Sequence, residues 1–225
     1  MKRLFFSLVT AIAVIAIATG ILAWISLQPP AWYAPPDFSD PEVAKLADRA
    51  EYRLNEEFHK IRPEEVWRIR IGEDAMNAWL SGRLEGWLTH DQEITLPPEI
   101  HDPQVHPTDG GIWTYAEVEI TQGSPRPLGI KWWIWVDEGN VHVEPIGVRL
   151  GNLPLPMALF ESQIAEFREE FTDVKAVIHR VIALSREELI DVKAVIPLLD
   201  DRIVEVHHIA LENGAVVLTC RTTLN

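Results

Sequence analysis

Apolar side chains run without a charged interruption from Leu4 to Leu27, and only beyond that point do apolar and polar positions begin to alternate. As a helix rising about 1.5 Å per residue, the run is about 36 Å long, enough to cross a hydrocarbon core of about 30 Å with some tilt. A cleaved secretory signal is the competing reading, with Ala16 and Ala18 as small residues at a cleavage site. Against it, apolar positions continue through Ile21, Leu22, Trp24, Ile25 and Leu27, further than a signal needs. Residues 28–41 contain Pro29, Pro30, Pro35, Pro36 and Pro41, which predict an extended spacer lifting the following domain off the bilayer.

Beyond the spacer the periods change repeatedly. Asp40 and Pro41 read as N-cap and first helical residue, and Val43, Leu46, Ala50, Leu54 and Phe58 recur at helical spacing, predicting a helix over about 41–60. From Val66 the period is two, with Trp67, Ile69 and Ile71 alternating with Arg68 and Arg70 up to Gly72. Met76, Trp79, Leu80, Leu84, Trp87 and Leu88 then form a helical stripe behind Glu73 and Asp74. Strands are expected over 112–120, 128–136 and 141–148, the last two joined by Asp137-Glu138-Gly139-Asn140. The stretch Gly151 to Pro156 is expected to end the sheet, and one bent helix or two consecutive ones to occupy about 156–184. The segment up to Ile196 suits either a capped helix or an edge strand before Pro197. A final hairpin over 202–221 turns at Asn213-Gly214, a pair that favours a tight primed turn.

The expected fold class is therefore α+β: an N-terminal transmembrane helix followed by a curved antiparallel sheet packed on long amphipathic helices. Residues 1–27 are read as cytoplasmic stub and anchor, 28–41 as spacer and 42–225 as one extracytoplasmic domain. Lys2 and Arg3 precede the span while Asp37, Asp40 and Glu42 follow it, which predicts a single-pass cell-membrane protein with its bulk outside the cytoplasm.

Charge narrows the partners. The net charge of −14 becomes −16 when Lys2 and Arg3 are set aside, which disfavours nucleic acid and broad adhesion to anionic headgroups. Cys220 is the only cysteine, so no intrachain disulfide forms, and its apolar surroundings suggest burial. No cofactor, metal or catalytic motif is expected. His101, Asp102 and His106 lie among prolines on what reads as an exposed irregular edge; His207 and His208 face opposite ways on a strand; Ser124 and Ser162 lack a nucleophile-elbow context.

The strand around Trp132 carries the main functional signal. Ile130, Trp132, Ile134 and Val136 face one way and Lys131, Trp133 and Trp135 the other, so the strand is largely apolar on both faces. Such a strand is either covered twice by protein or open on one side to an apolar ligand. The expected ligand-binding residues are Trp113, Trp133, Trp135, Phe160 and Ile164, lining a groove between sheet and helices for a lipid or similar amphiphile. The alternative is an envelope interaction or assembly protein with a fully packed core and no ligand. Carbohydrate stacking on the tryptophans is a further, weaker option because Ile134 and Val136 are interleaved with them.

Two segments resemble the YpmS-like proteins, bacterial single-span proteins with an extracytoplasmic domain and no established enzymatic activity. Arg68 to Leu80 resembles their strand followed by a helix with Leu-Asn-x-Leu-Leu, here with Met76 before Asn77. Gly151-Asn152-Leu153-Pro154-Leu155-Pro156 looks like their Gly-x-Leu-Pro-Leu-Pro turn. The resemblance implies an anchored α+β domain, and domains of this general shape look similar, by analogy of fold alone, to lipid-binding folds of the tubular type.

Overall fold

The structure, a computed structural model, describes residues 2–60, 66–91, 98, 100–121, 124–156, 193–198 and 202–224. Its first element, α1 (Lys2–Leu27), is apolar around its whole circumference, and Val9–Leu27 is long and apolar enough to cross a membrane. Helix α2 (Pro41–His59) starts where Asp40 accepts a hydrogen bond from the Glu42 amide at 2.9 Å, with Pro41 supplying the fixed φ of a first turn. Strand β1 (Val66–Gly72) buries Trp67 and Ile69 and exposes Val66, Arg68 and Arg70, as its alternation predicts. Helix α3 (Glu73–Asp91) follows at once.

Strands β2 (Ile100–Thr108), β3 (Gly111–Thr121), β4 (Ser124–Asp137), β5 (Asn140–Leu150) and β6 (Leu153–Leu155) form an antiparallel meander sheet in chain order. Strands β7 (Val195–Pro197), β8 (Arg202–Glu212) and β9 (Ala215–Leu224) join β1 in a second antiparallel sheet of order β1-β9-β8-β7, hereafter the hairpin sheet. The architecture is thus α+β, with one apolar N-terminal helix and antiparallel sheets. Long amphipathic helices are not found among the described residues: α2 and α3 have 19 residues each, and Trp87 of the α3 stripe is 41 % exposed. The helices expected over about 156–184 lie outside the described residues.

The core sits where the two sheets and α2 meet. Trp67, Ile69, Val204, Val206 and Cys220 of the hairpin sheet are buried with Ala194, and Leu54 and Phe58 of α2 and Val136 and Val141 of the meander sheet pack against them. Burial of Cys220 is complete, as its apolar surroundings predict. Each sheet satisfies a buried indole in the same diagonal way. Trp67 lies opposite Cys220 and donates to Thr222 Oγ1 at 2.9 Å; Trp132 lies opposite Ile112 and donates to Thr114 Oγ1 at 2.8 Å. In both, the threonine stands two residues beyond the facing position, within reach of a tryptophan leaning along the strand.

Four expectations need correcting. The prolines of residues 28–41 do not make a free spacer: Pro30 and Tyr33 are buried against the meander sheet, because that segment's carbonyls and rings find partners there. The proline-rich stretch around His101 is an ordered strand, β2, with a bulge between His101 and Gln104 that accommodates Pro103. Gly151 to Pro156 does not end the sheet but turns into β6, paired with β5. The Asn213-Gly214 turn is not primed, since only Gly214 has positive φ (72°). Contacts outside the hairpin hold it: the Gly214 amide donates to the Pro107 carbonyl at 3.0 Å, and the Gly214 carbonyl accepts from the Glu73 amide at 2.9 Å.

Candidate functional site

One face of the meander sheet brings together most of the aromatic residues that the sequence singles out. Register places His106, Trp113, Lys131 and Gly147 side by side across β2 to β5, with Gln104, Tyr115, Gly129 and Arg149 in the next row. Further along β4, Trp133 faces Glu144 and Trp135 faces His142. Two glycines make room for rings. The Tyr115 ring lies where a Cβ on Gly129 would stand, and Trp113 lies 3.7 Å from the corresponding position on Gly147.

The row nearest α1 is covered. Trp32 stacks on His106 with centroids 4.5 Å apart and meets Tyr115 edge-on at 5.0 Å. Tyr33 Oη donates to the Asp102 carbonyl at 2.9 Å, and Gln104 Nε2 donates to the Ala34 carbonyl at 3.1 Å. Burial pushes both phenols upward; for Tyr33 the nearby Glu117 and Asp102 carboxylates add to this, because a phenolate there would be desolvated beside negative charge. His106 Nδ1 lies 2.9 Å from both oxygens of Glu73 at the start of α3, so one imidazole links the proline-rich segment, β2 and α3.

The end of α1 is bonded to the same sheet. The Asn152 amide donates to the Ile25 carbonyl at 3.2 Å, and Asn152 Nδ2 donates to the Pro29 carbonyl at 3.1 Å. Gly151 adopts φ 56°, and a Cβ there would come within 2.5 Å of the Ser26 carbonyl oxygen. Only glycine allows both the left-handed conformation and this approach.

On β4 and β5, past the part of the face that Trp32 and Tyr33 cover, the face opens. Trp133 is 41 % exposed and Ile146 42 % exposed. Ile146 sits at a bulge in β5, with its Cδ1 and Lys131 Cε both beside Gly111. Arg149 lies 4.6 Å above the Trp113 ring and Lys131 5.8 Å from it, so the indole is flanked by two cations. Trp135 is half-buried, stacked on His142 at 5.1 Å. The opposite face of β4 is core, with Ile130 and Trp132 buried. Among the described residues this arrangement is an open aromatic strip with Lys131 and Arg149 around Trp113 and Glu144 opposite Trp133, not an enclosed apolar groove. Phe160 and Ile164 lie outside them.

The chain matches no protein-family model, no curated protein and no solved structure. Sequence reasoning missed Lys131, Arg149 and Ile146 as candidate binding residues; only the register, which sets Trp113 opposite Lys131 and Lys131 opposite Gly147, draws them together. The histidine-containing β2 reads differently from its sequence as well. Asp102 sits at φ 50° with its carbonyl engaged by Tyr33, and His106 faces Glu73. Among the described residues no three His, Cys, Asp or Glu side chains converge as a metal site would require.

Proposed function

We propose that this chain is a membrane-anchored, extracytoplasmic, non-enzymatic domain that holds an anionic amphiphile of lipid type against the tryptophan face of its meander sheet. The observation that carries the reading is the conjunction on one face of exposed Trp133 and Ile146 with Lys131 and Arg149 around Trp113. Exposed rings and an aliphatic side chain suit acyl methylenes, at about 0.8 kcal/mol for each CH₂ removed from water. Two cations on one indole suit a phosphate or carboxylate head, with Arg149 offering the planar fork.

The orientation follows the flanking charges: Lys2 and Arg3 stay inside, while the acidic residues after α1 go out. Because α1 ends against Gly151 and Asn152, the domain stands on its anchor in a fixed pose, and the strip begins at the row next to that junction. The resemblance to YpmS-like proteins points the same way, since its two segments are the β1–α3 unit and the turn that receives α1.

The test is energy transfer from tryptophan to a dansyl fatty acid bound by the full chain in detergent. Trp133→Ala should reduce both affinity and transfer several-fold. Lys131→Ala should weaken the fatty acid but leave its neutral amide unchanged. Equal loss of acid and amide in Lys131→Ala, or an unaffected Trp133→Ala, would remove the reading.

A further inference from the structure

A second surface lies between α2 and β1. Strand β1 is an edge of the hairpin sheet: β9 pairs with it on one side, and on the other stands a groove of about 860 Å³ whose second wall is α2. Consecutive residues of β1, Arg68 through Gly72, all line that groove. Since successive side chains of a strand point to opposite faces, a groove touched by all of them looks onto the strand's edge, whose backbone groups pair with no other strand among the described residues.

The chemistry of the walls is uneven. Apolar surface comes from Ile69 and Ile71 on β1 and from Leu46, Ala50 and Leu54 on α2. Around it stand Arg49, Arg53, Arg68 and Arg70, a basic cluster in a protein of net charge −14. The acidic residues of the groove are engaged elsewhere: Asp48 with Arg83, and Glu56 and Glu57 with Lys60 at 3.7 and 2.6 Å. Arg70 reaches Glu212 at 3.4 Å across an exposed surface, whereas Arg49, Arg53 and Arg68 have no carboxylate partner among the described residues. Arginines at a strand edge keep the edge from pairing with another copy of itself, because an antiparallel β1–β1 contact centred on Ile69 brings Arg68 against Arg70.

We propose that this edge receives an extended acidic segment of a partner protein, which adds to β1 as a new strand. Its carboxylates alternate with apolar residues: the carboxylates meet Arg68 and Arg70 on one face and Arg49 and Arg53 from α2, and the apolar side chains enter between Ile69, Ile71 and Leu54. Main-chain hydrogen bonds to β1 supply affinity and the arginines choose the sequence. β1 has seven residues, which sets the length of the segment.

A capped, fluorescein-labelled heptapeptide of alternating valine and glutamate tests this by anisotropy, with the full chain in phosphatidylcholine nanodiscs. The peptide should bind saturably, and a peptide of the same charge with central prolines should not. The double substitution Arg68→Glu with Arg70→Glu should weaken the glutamate peptide at least tenfold and confer binding of the corresponding valine–lysine peptide. That gain also demonstrates that the variant is folded. Equal binding of the proline-containing peptide reduces the site to charge alone and overturns strand addition. Absence of saturable binding by the native chain, or a double variant that keeps its preference for glutamate, overturns the proposal as well.

Discussion

Single residues decide how the anchor meets the domain. Gly151 combines φ 56° with a carbonyl 2.5 Å from where its Cβ would be, so Gly151→Ala adds left-handed strain and a backbone collision at once. A loss of about 2 kcal/mol or more is expected, at the upper part of the range for such strain, and a lower thermal midpoint of the full chain in detergent checks it. Tyr33 and Tyr115 make a second prediction. Burial holds their protons more tightly in the folded state than in the unfolded chain, whose phenols titrate near about 10. Stability is therefore complete below that pH and declines as pH climbs past it, because the unfolded chain releases protons that the folded one retains. Phenolate absorbance from these residues should emerge together with loss of near-ultraviolet circular dichroism, and Tyr33→Phe should flatten the alkaline decline. An unchanged alkaline transition in that variant would contradict the assignment.

At the level of elements, Asn77 joins α3 to the edge strand β2. Its side-chain oxygen accepts from the Val105 amide at 2.8 Å and its nitrogen donates to the Val105 carbonyl at 3.0 Å, so a helix side chain stands in for a neighbouring strand. Asn77→Ala leaves both backbone groups unpartnered and should cost about 1–3 kcal/mol, measured as a lower urea midpoint with unchanged slope. Asn77→Asp keeps the acceptor alone and should fall between.

The elements themselves were largely legible. The Asp40-Pro41 start of α2, the alternation of β1 and the meander strands β3 to β5 all follow from local pattern, because backbone propensity and burial agree there. What local pattern does not contain is the partner. The proline-rich segment is extended, as its composition implies, yet its fate depends on Asp102, Gln104 and Asn152, which lie 69, 70 and 123 residues from the groups they bind. The same limit applies to the tryptophan face. Alternation separates Trp133 and Trp135 from Trp132, but only register shows that Arg149 and Lys131 flank Trp113. The Asn213-Gly214 turn departs from its local preference because both backbone groups of Gly214 are taken by Pro107 and Glu73.

For the whole molecule the main consequence is orientation. A helix fit to span a membrane runs directly into a sheet that bonds its last turn, and the following segment is packed on that sheet instead of hanging free. A domain held this way presents fixed faces, and the tryptophan strip starts beside the anchor. Proteolysis offers a check, since residues 28–40 should resist cleavage in the native chain and become sensitive in Gly151→Ala.

The tryptophan face is proposed to hold an amphiphile. Native mass spectrometry of the full chain, released from its own membranes in a mild detergent, measures this most directly. One anionic lipid per chain is the expected result, lost in a Lys131→Glu, Trp133→Ala double variant that keeps its circular dichroism. A bare chain, or a lipid retained equally by that variant, would contradict it.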